Sequence, residues 1–227
     1  CLKLPIQHSF QEYLRTFKQY APEAIDSYIE QMTSTSVRVH DLAERFLEEL
    51  AEEILASNPK IVGMASVFFQ HNACLALARI LKEKRPEIIT TIGGTNCTGE
   101  AGAAIVNYIP WIDYAFSGEA DECFGEICQL LIEKGSSVSD DCLPYGTISK
   151  TMVSGFLAED EYPVRFTRDL DKIPPPDYQD YFSELERFAF DNQVIPGLFY
   201  EFSRGCWWHA KKQCTFCGLN RNGEQYR

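Results

Sequence analysis

Three cysteines near the C-terminal end, Cys206, Cys214 and Cys217, fall within twelve residues of the stretch Ser203-Arg-Gly-Cys-Trp-Trp-His-Ala-Lys-Lys-Gln-Cys-Thr-Phe-Cys-Gly-Leu-Asn220. The last two are spaced C-x-x-C, so their thiolates can converge on one metal or cluster, and the longer loop can return the third. Three thiolates on a 4Fe-4S cluster leave one tetrahedral iron without a protein ligand, open to something else. Phe216, just before the third cysteine, is placed to shield or contact a bound cofactor. From Phe202 to Arg227 there are five Lys or Arg against one acid, Glu224, a local cationic bias that suits an anionic group. Two other chemistries use the same residues. Cys214 and Cys217 alone could form a dithiol redox pair, but the third cysteine and the lack of a thioredoxin-like strand-helix context weigh against it. Cys206, His209, Cys214 and Cys217 supply a Cys3His zinc set, with His209 only three residues from Cys206. The cluster with an open iron is the leading reading.

The elements that must position this loop are legible upstream. Leu198-Phe-Tyr-Glu-Phe-Ser203 has the apolar and aromatic composition of a strand delivering Cys206 at its carboxyl end, as the first strand of a barrel would. Before it, the three consecutive prolines Pro174, Pro175 and Pro176 predict a stiff connector, and Tyr181–Phe190 a helix. Farther upstream a strand-helix rhythm repeats. Lys60–Val67, Ile88–Ile92 and Ile112–Phe116 are short apolar runs that read as buried strands. Asn72–Lys84, Ala101–Tyr108 and Phe124–Lys134 read as the helices between and after them. That alternation predicts a parallel sheet with right-handed crossovers. Residues 39–57 form an amphipathic helix whose glutamates are a solvated face. Helical runs ending near Ile29 are expected before it, and 135–160 reads as loop, hairpin and linker.

In such sheets ligands sit beyond the carboxyl ends of the strands. Ser66 to Gln70, Gly93-Gly94-Thr95-Asn96 and Ser117-Gly118-Glu119 lie at those ends. Glycine there lets a ligand approach the backbone. Ordinary loop chemistry is the competing reading of these stretches. No G-x-G-x-x-G occurs, so a dinucleotide pocket is not the leading idea.

Composition sets the outer limits. The chain has 227 residues, 45% hydrophobic and 24% charged, enough apolar content for a real core. A net charge of −12 argues against general nucleic-acid binding. No run approaches a membrane span and no signal peptide is visible. Nine cysteines, six of them scattered (Cys1, Cys74, Cys97, Cys123, Cys128, Cys142), read as reduced, mostly buried thiols of a cytoplasmic protein. The chain starts at Cys1 and stops ten residues after Cys217, so flanking sequence is expected and turnover by this chain alone is not.

Ser203-Arg-Gly-Cys-Trp-Trp with Cys214-Thr-Phe-Cys-Gly-Leu-Asn220 resembles the start of the radical SAM domain of cobalamin (B12)-binding radical SAM proteins. In particular it is similar to the group associated with maturation of ribosomally made peptides (RiPP maturation), often described as C-methyltransferases. The resemblance continues through Val62–Gln70, Leu75–Arg79, Gly93–Cys97, Asp113–Glu119 and Pro176–Tyr178, in the family's order. It covers most of residues 45–227.

The resemblance implies a Rossmann-like cobalamin-binding domain over residues 1–135, whose N-terminal strand this chain need not contain. It further implies a linker over 136–195 and the beginning of a radical SAM (β/α) barrel over 196–227. Cys206, Cys214 and Cys217 would hold the 4Fe-4S cluster, and S-adenosyl-L-methionine (SAM) would bind its open iron. Reductive cleavage of SAM would give a radical that abstracts hydrogen from an unactivated carbon, and cobalamin would deliver the methyl group. The implied partners are a precursor peptide substrate and an electron donor such as a flavodoxin or ferredoxin. The implied cofactor contacts are Ser66, Phe69, Gln70, Gly93, Gly94, Thr95, Asn96, Ser117, Gly118, Glu119 and Phe216.

Two departures qualify the match. Seven residues, Trp207 to Gln213, separate the first two cysteines where the common spacing has three, although the peptide-maturation group shares the longer loop. No D-x-H-x-x-G occurs, so cobalamin is expected without a protein histidine on cobalt, and His71 is read as a loop histidine. The alternative retained is a cobalamin-binding module whose cysteine loop is a structural zinc site.

Overall fold

The computed structural model describes residues 26–135, 138–159, 161–188, 195–209, 211–212, 214–217 and 226–227. The helices expected before residue 26, and Gly218, Leu219 and Asn220 of the cysteine stretch, lie outside the described residues. The chain divides into two compact units, residues 1–165 and 166–227.

In the first unit, helix α1 (Asp26–Ala56) runs for 31 residues, about 46 Å at the usual rise. The sequence predicts separate runs ending at Ile29 and beginning at Val39. The structure carries one helix across the Ser- and Thr-containing gap, because extending an existing helix costs far less than starting one. Strands β1 (Ile61–Ala65), β2 (Ile89–Gly93), β3 (Tyr114–Phe116) and β4 (Thr147–Ser149) form one open sheet in the order β1-β2-β3-β4. The first three are parallel, in register from Ile61 opposite Ile89 to Ala65 opposite Gly93, and Ile92 opposite Ala115. β4 runs antiparallel to β3, with Phe116 opposite Thr147. Helices α2 (His71–Lys84) and α3 (Glu100–Tyr108) link the parallel strands, and α4 (Phe124–Lys134) and α5 (Val153–Glu159) flank β4. This is a mixed α/β unit with a mostly parallel sheet, consistent with a Rossmann-like α/β fold.

The period of two along each strand sorts side chains between two cores. Met64, Ile92, Ala115 and Ile148 pack with Leu47 and Ala51 of α1, Leu81 of α2, Val106 of α3 and Val153 of α5. Ile89, Tyr114 and Phe116 face Ile127 and Leu131 of α4 instead. The phenyl rings of Phe116 and Phe124 meet edge to face with centroids 5.7 Å apart. Helices on both faces are why β2 is buried at four consecutive residues, Ile89 to Ile92, rather than at alternate ones.

At the amino end of β3, Asp113 gathers two donors on one oxygen. Lys82 Nζ lies 2.7 Å from Oδ2 and Thr90 donates its N–H at 2.8 Å, while the single hydroxyl hydrogen of Thr90 goes to the Trp111 carbonyl at 2.7 Å. These bonds fix α2 and β2 to the start of β3. The unit extends past the boundary expected at residue 135, because β4 pairs with β3 and Arg165 hydrogen-bonds beyond it.

In the second unit, helix α6 (Gln179–Arg187) follows the proline connector. The hydroxyl of Tyr178 donates to the Phe199 carbonyl, and Arg204 and Arg227 exchange backbone bonds of 3.0 and 3.1 Å. Residues 198–203, expected as a strand, carry no strand pairing among the described residues. A strand requires a neighbour to take its backbone hydrogen bonds, and alternating aromatics alone do not provide one.

Candidate functional site

At the carboxyl ends of β1, β2 and β3, three loops are hydrogen-bonded in series. Ser66 extends β1 by one residue, donating its N–H to the Gly93 carbonyl at 2.7 Å and accepting from Asn96 N–H at 3.2 Å. Both hydrogens of the Asn96 amide are committed, one to Ser66 Oγ at 3.1 Å and one to the Phe68 carbonyl at 3.0 Å. Ser66 Oγ also hydrogen-bonds His71 Nδ1 at 3.0 Å. The serine is buried, so these contacts satisfy a hydroxyl that would otherwise be costly to desolvate. Gln70 closes its own turn, with Oε1 accepting from Val67 N–H at 3.2 Å and its N–H donating to the Val67 carbonyl at 3.1 Å.

Gly94 makes this close approach possible. Its φ of 96° and ψ of 177° lie in a region that is essentially glycine's alone. A Cβ there would come within 2.6 Å of the Ser66 carbonyl oxygen.

The third loop forms a second knot. Buried Ser117 accepts on Oγ from the Gly99 N–H at 2.7 Å, at the entry to α3, which ties the β3 loop to the β2 loop. Its backbone donates to the Gly146 carbonyl at 2.7 Å and accepts from Arg165 N–H at 3.0 Å. Glu119 N–H donates to the Arg165 carbonyl at 2.9 Å. The Arg165 guanidinium reaches Glu122 at 3.5 Å.

Ser66, Gly94 and Asn96 are therefore brought together, and Ser117, Gly118 and Glu119 form the adjoining knot. Most of their polar groups are spent on each other. Two phenyl side chains of the ensemble stand in solvent: Phe68 is 80% exposed and Phe69 fully so. Gly63, Ala65, Gln70 and Thr95 are exposed around the same strand ends, and Gly93 is half-buried.

Burial favours the neutral form of two nearby thiols. Cys97 donates to the Gly93 carbonyl at 3.5 Å, and burial, helped by nearby Cys74, pushes its thiol up to about 12. Burial also raises Cys74. A reactive cysteine needs the opposite environment.

Sequence reasoning missed Phe68, His71 as the partner of Ser66, Gly99, Gly146 and Arg165. The exposed Phe-Phe pair directly after a strand was the available signal for Phe68. Nothing in the sequence links Arg165 to the Ser117 loop.

In the second unit, Cys206, Cys214 and Cys217 are free and partly buried. The Cys217 N–H donates to the Cys214 carbonyl at 3.2 Å, so the C-x-x-C segment is a tight turn with Phe216, 90% exposed, at its tip. Lys211 and Lys212 N–H donate to the Trp208 carbonyl at 2.9 and 2.8 Å, and Lys211 Nζ lies 4.8 Å over the Trp207 ring. Among the described residues, no group of three His, Cys, Asp or Glu is placed to hold a metal ion. No helix among them is long and apolar enough to cross a membrane. No protein-family model matches the chain, and no curated protein matches it.

Proposed function

We propose that the chain belongs to a cobalamin-dependent radical SAM enzyme that C-methylates an unactivated carbon of a ribosomally made peptide. In this reading the first unit is the cobalamin-binding domain, and residues from about 196 begin the radical SAM barrel. The observation that supports it most is the carboxyl end of the sheet, where three interlocked loops present an exposed aromatic step instead of acid–base groups. A corrin ring offers a broad apolar face to such a surface.

The donor set of the second unit also fits. Three thiolates are the ligand chemistry of iron–sulfur clusters, and Cys214 and Cys217 stand at the two ends of one tight turn, although the described residues do not gather three donors at one point. Cys206, Cys214 and Cys217 would hold the cluster. When bound, the cluster and corrinoid would supply electron transfer to SAM and methyl transfer. The chain's own residues would orient and shield: Phe216 at the cluster turn, Phe68 and Phe69 at the corrin, and Arg204, Lys211 and Lys212 towards anionic groups. The electron would come from a flavodoxin or ferredoxin, in the cytoplasm.

Anaerobic reconstitution with iron and sulfide tests this reading. It should give a broad absorption shoulder in the blue and iron that is lost when Cys206, Cys214 and Cys217 are replaced by Ala. A colourless protein holding one zinc would overturn it. Corrinoid binding that survives the triple replacement, with no cluster formed by the parent chain, would leave a binding module in its place.

A further inference from the structure

The seven residues between Cys206 and Cys214 include two tryptophans and two lysines, and no acid. Both indoles stand in solvent, Trp207 54% exposed and Trp208 45%, although tryptophan is a highly buried residue on average. Their rings meet edge to face with centroids 5.7 Å apart. One acceptor organises the lysines: the Trp208 carbonyl takes the N–H of Lys211 at 2.9 Å and that of Lys212 at 2.8 Å. Lys211 Nζ lies 4.8 Å over the Trp207 ring, a distance at which an ammonium is attracted to an indole face. Both lysines are exposed. Among the described residues neither ammonium meets a carboxylate, whereas Arg204 is engaged by Glu201 at 2.8 Å. The patch is therefore a cationic and aromatic spot in a chain whose net charge is −12.

That combination selects its occupant. An extended peptide docks in a groove or along a strand edge, and the described residues of this turn supply neither. A nucleic acid needs a long run of phosphate contacts, and the acidic remainder of the chain repels it. A small acidic protein fits. Tryptophans anchor protein interfaces, the lysines steer the encounter, and like charge elsewhere on the chain disfavours other orientations. We infer that Trp207, Trp208, Lys211 and Lys212 form the docking patch for a small acidic electron-carrier protein. The inference rests on the cluster reading above and gives its electron donor a place to bind, on the loop that joins Cys206 to Cys214.

The test is calorimetric titration of the anaerobically reconstituted chain with oxidised flavodoxin, an acidic carrier, at two salt concentrations. Affinity for the parent chain should fall roughly tenfold between about 50 and about 200 mM sodium chloride, because exposed charges are screened. Lys211→Glu with Lys212→Glu should weaken binding by about tenfold or more at the lower salt and remove most of the salt dependence. Trp208→Ala keeps the carbonyl that closes the turn and should weaken binding roughly tenfold at both concentrations. Lys150→Glu with Lys172→Glu makes the same change in net charge at two exposed positions elsewhere. That variant should bind within about twofold of the parent.

The salt dependence of the parent chain needs no variant, so the inference stays exposed to refutation even where a variant fails to fold. Parent chain that forms the cluster but does not bind flavodoxin, or binds it independently of salt, would overturn the patch and leave the cluster reading standing. Equal affinity of the parent and the Lys211/Lys212 variant would do the same. A single-stranded DNA oligonucleotide bound more tightly than flavodoxin would replace the patch with a nucleic-acid surface. Parent chain that gains no iron–sulfur absorption on reconstitution would overturn both.

Discussion

Replacing Gly94 by Ala isolates the geometry on which the candidate site depends. The new Cβ would stand 2.6 Å from the Ser66 carbonyl oxygen and 3.0 and 3.1 Å from its carbon and nitrogen. All three are backbone atoms, so no side-chain rotation relieves the contact. Ser66 cannot withdraw freely either, because its N–H holds Gly93 at 2.7 Å and its carbonyl holds Asn96 at 3.2 Å. The φ of 96° with ψ of 177° adds about 1–3 kcal/mol for any residue with a Cβ, and each backbone bond lost adds about 1 kcal/mol. The sum is about 2–5 kcal/mol, a fall in Tm of at least about 4 °C for a chain of this size. Gly125→Ala is the control. It lies in the first turn of α4, with nothing within 4 Å of where its methyl group would stand, and should be neutral or stabilising by up to about 1 kcal/mol. Urea and thermal melts followed by far-ultraviolet circular dichroism measure both. A Gly94→Ala protein melting within about 1 °C of the parent, or indistinguishable from Gly125→Ala, would refute the close approach of the two loops.

Other outcomes follow from the same physics. Asp113→Ala leaves Lys82 and Thr90 without their shared acceptor and should cost about 2–3 kcal/mol in urea denaturation, with Asp113→Asn distinctly milder. Burial holds the Cys97 thiol protonated up to about 12 from a usual 9.0. The folded state therefore binds that proton more tightly than the unfolded one. The resulting stability is complete below about pH 9 and is lost as pH rises toward 12. Cys97→Ala should flatten part of that decline, and only part, because Cys74, Cys123, Cys128 and Tyr114 are raised too. Iodoacetamide at about pH 8 should label exposed Cys142 well before Cys97, as peptide mass mapping would show; equal rates would contradict the burial argument.

The parallel strands and their helices were readable because each buries enough consecutive residues to impose a period. Phe124–Lys134 is a helix with the same bounds in sequence and structure. β4 left no such trace. Thr147-Ile-Ser149 is three residues long, and its polar first and last members resemble a loop until β3 lies beside them. The loops at the strand ends were found from position, but their internal bonding was not. Ser117 looks like a ligand group in the sequence, and nothing there shows that its Oγ accepts from the Gly99 N–H in the fold. Residues 198–203 show the converse: strand-like composition without a described partner strand. The three cysteines are legible as a donor set from spacing alone, whereas convergence of donors is a property of three-dimensional geometry.

Gly118 and Gly146 are both shaped by one residue that neither neighbours in sequence. A Cβ on Gly118, at φ 93°, would lie 2.1 Å from the Arg165 carbonyl oxygen, and one on Gly146, at φ 92°, would lie 2.7 Å from Arg165 Cβ. Once one substitution has displaced the Arg165 backbone, much of the obstacle to the other has gone. Their effects should be sub-additive, with the double variant less damaged than the sum of the singles by about 0.5–3 kcal/mol. Mutational tolerance at the end of β3 is then a property of the trio, and a second change there meets a more permissive site than the first.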